Sequence, residues 1–140
     1  MTFSDLTPHV ILFLAGAIAV LFALVFLGIR KEKGGHAAAT AAFGAGFAGL
    51  TAVTIWSEGP LGFLPNHTAN LWGVQVWYDL LFAVCIALSF IVPRARAAGM
   101  NLLPWILFVG LTASIGLLAM AARLYWLEGQ ASDPGASARN

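Results

Sequence analysis

The chain has 140 residues, 60% of them hydrophobic and 9% charged, with a formal net charge of +1. Soluble domains are about a quarter charged, so this composition, with a mean hydropathy of +0.86, leaves little material for a soluble module and points to an integral membrane protein. A basic face would be needed to hold nucleic acid, and the near-neutral chain has none.

The first apolar run spans His9 to Ile29 and reaches the roughly 20 residues that cross a hydrocarbon core about 30 Å thick. Its leader, MTFSDLTP, lacks a basic n-region, and the run is longer than a signal-peptide core, so it is expected to remain as a span. Beyond His9 it has no polar stripe. The basic segment RKEKGGH follows.

The second run, Ala37 to Ser57, places Thr40, Gly44, Phe47, Thr51, Thr54 and Glu58 on one helical face. Small residues recur at four-residue spacing in Gly44 with Ala48 and Ala45 with Gly49, which lets helix backbones approach closely. The loop SEGPLGFLPNHTAN carries turn formers at Gly59-Pro60, Gly62 and Pro65-Asn66. With Phe63 and Leu64 inside it, the loop is expected to fold as an ordered cap. Asn66-His67-Thr68 matches a glycosylation sequon, a match common by chance.

The third run, Leu71 to Val92, puts Trp72, Gln75, Asp79, Phe82 and Ile86 on one face. Asp79 lies about 12 Å inside the Leu71 end at 1.5 Å per residue. A carboxylate at that depth is costly unless paired or protonated, so it is expected to face the bundle interior. The single cysteine, Cys85, sits in the same run and has no internal partner for a disulfide. The basic turn PRARAAGMN comes next.

The fourth run, Leu102 to Trp126, aligns Trp105, Thr112, Gly116, Ala119 and Arg123, with further small pairs at Gly110 and Ser114 and at Thr112 and Gly116. The small pairs predict that the second and fourth helices are central. Arg123, about 5 Å from the end of the run, has a side chain long enough to reach inward. The expectation is therefore an Asp79–Arg123 ion pair, with Gln75 one turn from the acid and Glu58 as a rival partner for the arginine. Such a pair either fixes helix neighbours or marks a functional site. The segment 128–140, rich in Gly, Ser, Ala, Asp and Pro, reads as a disordered tail.

Lysine and arginine cluster in the two short loops RKEKGGH and PRARAAGMN, which the positive-inside rule places in the cytoplasm. The sequence thus predicts an all-α fold: a bundle of four transmembrane helices at 9–29, 37–57, 71–92 and 102–126, both termini outside. Residues 1–127 would form a single domain in a bacterial inner membrane. Trp56, Trp72, Tyr125 and Trp126 would mark the outer interface and Trp105 the inner one.

The segments WSEGPLGFLPNH, WGVQVWYDLLFAV and PRARAAGM, together with the last helix, resemble small bacterial membrane proteins of uncharacterised function, over roughly Trp56 to Leu127. The resemblance implies a four-helix inner-membrane protein and supplies no activity. Small multidrug transporters share the size and helix count, but they carry an essential glutamate in the first helix, and no acid stands in this one.

The functional expectation is a small non-enzymatic membrane protein that binds or passes an apolar or amphiphilic ligand. Its outer-facing pocket would be lined by Asp79, Arg123, Gln75, Glu58, Trp72 and His67. One alternative is an accessory subunit of a larger membrane complex. Another is a lipid or isoprenoid enzyme with Asp79 or Glu58 as acid, since burial raises a carboxyl pKa. No nucleophile elbow, phosphate loop or zinc motif accompanies those acids. His9 and His67 lack neighbouring ligands, so no cofactor or metal is expected. Membrane lipids, a second copy or a larger membrane complex are the expected partners.

Overall fold

The computed structural model describes residues 7–29 and 36–132, apart from some side chains near the end of the first helix. The expectations for the leader, for most of the basic segment RKEKGGH and for tail residues 133–140 lie outside the described residues. Among those described, every regular element is a helix: α1 Pro8–Ile29, α2 Ala37–Glu58, α3 Phe63–Thr68, α4 Leu71–Ala97, α5 Leu102–Thr112 and α6 Ser114–Ala131. The chain divides into two units, Met1–Lys33 and Gly34–Asn140. In the first unit α1 is apolar beyond His9, with Phe13 74% exposed.

In the second unit the helix ends follow local chemistry. Gly59 stops α2 at φ +82°, its N–H donating to the Ile55 carbonyl. That conformation suits a residue without Cβ. Asn70 caps α4 by accepting from the Gly73 N–H at 2.9 Å. The third run was expected to end at Val92, before Pro93. Instead α4 runs through Pro93 to Ala97 and closes with Gly99 at φ +75°. Met100 N–H donates to the Ala95 carbonyl there, a glycine-closed helix end.

The fourth predicted span is corrected. Leu102 to Trp126 is not one helix, because Ala113, at φ +47° and ψ −110°, breaks it into α5 and α6. The chain reverses at this corner, and Gly116 comes to rest against the backbone of Phe108 and Val109. Eleven residues of α5 cover only about 16 Å, half a hydrocarbon core. The expected tail also starts late, since α6 continues through Glu128 to Ala131.

The core sits where α4, α5 and α6 meet. Ala95, Val109, Met120 and Leu124 are buried, and Val84, Leu88, Ile91 and Trp105 pack on them. In this core α4 and α6 run in the same direction, and α5 runs against both. The α6 end therefore lies beside the basic turn after α4, whereas the predicted topology set the tail and that turn on opposite sides. The helix α2 joins through its small-residue face, Gly44 approaching Leu118 of α6. Small residues permit that close approach, but within the second unit α2 meets α6 alone among the described helices and buries no residue, so of the two helices expected to be central only the last run is.

Among the described residues two helices, α2 and α4, are long and apolar enough to cross a membrane, by length and composition. Within the second unit no residue of α2 and only Ala95 of α4 is buried.

Candidate functional site

The rotation of α4 decides where the polar stripe points. Gly73, Leu80, Val84, Ala87, Leu88, Ile91 and Val92 are half-buried and Ala95 is buried, and their spacing of three and four residues makes one face. That face is occupied. At its start α3 folds against α4, where Gly73 touches the backbone of Asn66 and His67. Trp77 stacks on Phe63 at a centroid distance of 6.1 Å and receives the His67 ring edge-on at 5.3 Å. His67 Nδ1 in turn donates to the Phe63 carbonyl at 2.7 Å. At its end the face packs on α5 and α6.

Trp72, Gln75, Asp79, Phe82 and Ile86 fall on the opposite side and are exposed. The expectation that Asp79 faces the interior is therefore corrected. Small and aliphatic residues on the other side of α4 fit the neighbouring helices better, and they hold the stripe outward. Among the described residues no side chain pairs with Asp79. Tyr78 and Phe82 lie ring to ring beside it, centroids 6.0 Å apart.

The expected Asp79–Arg123 ion pair is corrected as well. Among the described residues the ion pair is Arg94–Glu128, in which the Arg94 guanidinium donates to both Glu128 carboxylate oxygens at 3.0 and 2.6 Å. It also lies 5.5 Å from the centre of the Tyr125 ring. The two partners are 34 positions apart. Carried back along two helices running the same way, that offset sets Ser89 beside Arg123 and Asp79 beside the Ala113 corner. Acid and guanidinium are then separated by about 15 Å of helix rise, beyond the reach of an arginine. Arg123 lies instead over the Trp126 ring, 4.3 Å from its centre.

The six residues expected to line one pocket thus stand in different places. Trp72, Gln75 and Asp79 share the outward stripe of α4. Arg123 is on α6 against Trp126, Glu58 ends α2, and His67 is engaged with Trp77 on the inward side. Two hydroxyls of the second helix's stripe turn to their own backbone: Thr51 donates to the Phe47 carbonyl and Thr54 to that of Leu50. Sequence reasoning passed over Arg94 and Glu128 as a pair because it ended the last span before Glu128. The register Met120, Leu124, Glu128 carries the signal, since four-residue steps continue the buried face to the acid. The pair lines a shallow groove with Ala97, Ala98, Leu127 and Ala131.

No protein-family model, curated protein or solved structure matches the chain. Its functional reading rests on its own residues.

Proposed function

We propose that this protein is a non-enzymatic, multi-pass membrane protein serving as an accessory subunit of a larger membrane complex, with the outward stripe of α4 as its working surface. One observation carries the reading: Gln75 and Asp79 face away from every helix that α4 packs on, in the middle of an apolar segment. A polar pair exposed on such a helix stays in hydrocarbon only at a cost of several kcal/mol unless another group meets it. The wide apolar exposure of α2 and α4 agrees, because a surface this large is normally covered by lipid or by a partner.

In this proposal α2 and α4 cross a bacterial plasma membrane. The α5–α6 hairpin enters it from the side of the basic turn and reverses at Ala113. Non-helical backbone at that depth is tolerable where protein buries it, and α4 lies alongside. With Arg94 and Arg96 cytoplasmic by the positive-inside rule, the end of α6 lies on the cytoplasmic side too. The ligand-pocket reading loses its support with the dispersal of its six residues.

Mild extraction of native membranes followed by native gel electrophoresis tests this function. The expected result is a band well above the 14.8 kDa chain, with a fixed protein companion that is lost in Asp79→Asn. A chain recovered only as a monomer refutes the reading.

A further inference from the structure

The accessory-subunit reading leaves open what meets Asp79, and the chain's own helices narrow the answer. A carboxylate within an apolar helix is either protonated or met by a charged or hydrogen-bonding partner, and a cation is the partner that keeps it ionised. The segments Pro8–Ile29, Ala37–Glu58 and Leu102–Thr112 contain no lysine or arginine. Arg94 is committed to Glu128, and the helix register sets Arg123 about 15 Å away along the axis. A second copy packed on the same stripe about a twofold axis along the membrane normal would bring carboxyl to carboxyl, where both cannot stay ionised and one must take up a proton. Lipid headgroups lie above, since Asp79 is about 12 Å inside the Leu71 end.

We infer that the outward stripe of α4 seats a transmembrane helix of another protein that carries a lysine or arginine at the level of Asp79. This rests on the membrane reading above and names the chemistry of the partner. Charge complementarity fixes the depth of the basic residue. Gln75, one turn away, offers an acceptor and a donor to the same cation or to the partner's backbone. Phe82 and Ile86, 63% and 59% exposed, continue the stripe at the three- and four-residue spacing that receives a crossing helix. Polar groups of this kind set the pairing and register of membrane helices, while packing of the flanking side chains supplies the contact area.

The test uses the full chain, dye-labelled at its C-terminus, in phosphatidylcholine vesicles with donor-labelled leucine–alanine host peptides. The peptides are about 21 residues long and differ only in a central Leu, Lys, Arg or Asp. Resonance energy transfer reads association, and flotation reads insertion of the chain. The expected result is that Lys- and Arg-centred peptides associate about tenfold more tightly than the Leu-centred one, as interhelical polar contacts imply. In Asp79→Asn the preference falls to the Leu level. In Asp79→Lys it reverses toward the Asp-centred peptide, which shows that the variant surface is still formed.

Equal association of Leu- and Lys-centred peptides with a chain that floats overturns the cationic partner and leaves the accessory-subunit reading standing. Transfer between two copies of the chain that displaces the Lys peptide makes the occupant a second copy and also overturns the inference. A chain that does not float with the vesicles overturns the membrane reading, and the inference falls with it.

Discussion

The Arg94 guanidinium holds the Glu128 carboxylate through two hydrogen bonds, at 3.0 and 2.6 Å. The pair joins the last turns of α4 and α6 and so determines which residues of those helices stand side by side. It separates Arg123 from Asp79, and it brings the end of the chain's last helix to the basic turn. With side chains 46% and 36% exposed, the pair contributes mainly to register.

Breaking it is therefore expected to cost little stability. Glu128→Ala should lower the unfolding free energy in detergent by about 1 kcal/mol, the upper end for solvent-facing pairs with two-point geometry. The double variant Arg94→Glu with Glu128→Arg should recover part of the loss. A thermal melt of the four proteins forms a double-mutant cycle, and a coupling of zero would remove the pair from the account of register.

The Ala113 corner holds the one non-glycine residue at positive φ among the described residues. An L-residue at φ +47° and ψ −110° is strained, and glycine is not. Ala113→Gly should raise stability by about 1 kcal/mol, and Ala113→Val should lower it by at least as much. If the glycine variant melts lower than the parent, the reversal at this residue is wrong.

Gly116 is a separate test of the same hairpin. A Cβ there would stand 2.7 Å from Val109 Cα and 2.8 Å from the Phe108 carbonyl, and backbone cannot yield as a side-chain tip does. Gly116→Ala should cost about 2 kcal/mol by forcing α5 and α6 apart. Gly110, with open space around its Cβ position, should gain about 0.5–1 kcal/mol as alanine. Melting curves of the two variants should shift in opposite directions.

Sidedness offers a fourth measurement. In a Cys85→Ser background, Met100→Cys and Ser132→Cys should react with a membrane-impermeant maleimide from the same face of sealed vesicles. Labelling from opposite faces would restore a single, continuous last span.

The sequence by itself determined the helical class and where the long apolar helices start. Apolar runs predicted starts at residues 37, 71 and 102, where α2, α4 and α5 begin. Turn and cap residues such as Gly59, Asn70 and Gly99 act locally, so their effects are legible without the fold. Periodicity also grouped Trp72, Gln75, Asp79, Phe82 and Ile86 correctly on one face of α4. It could not tell whether that face looks inward, because a helix repeat records which residues are neighbours and not what they meet.

Only the tertiary structure decided that direction, through the packing of Val84, Leu88, Ile91 and Ala95 on α5 and α6. It also decided the break at Ala113. The uncharged run continues through LTASIG, with neither proline nor glycine at the corner residue itself. The reversal is stabilised by what it brings together, Gly116 against Val109 and Met120 and Leu124 into the core. Those contacts join residues from separate helices, and a local pattern shows which residues share a face but not which helix will meet it.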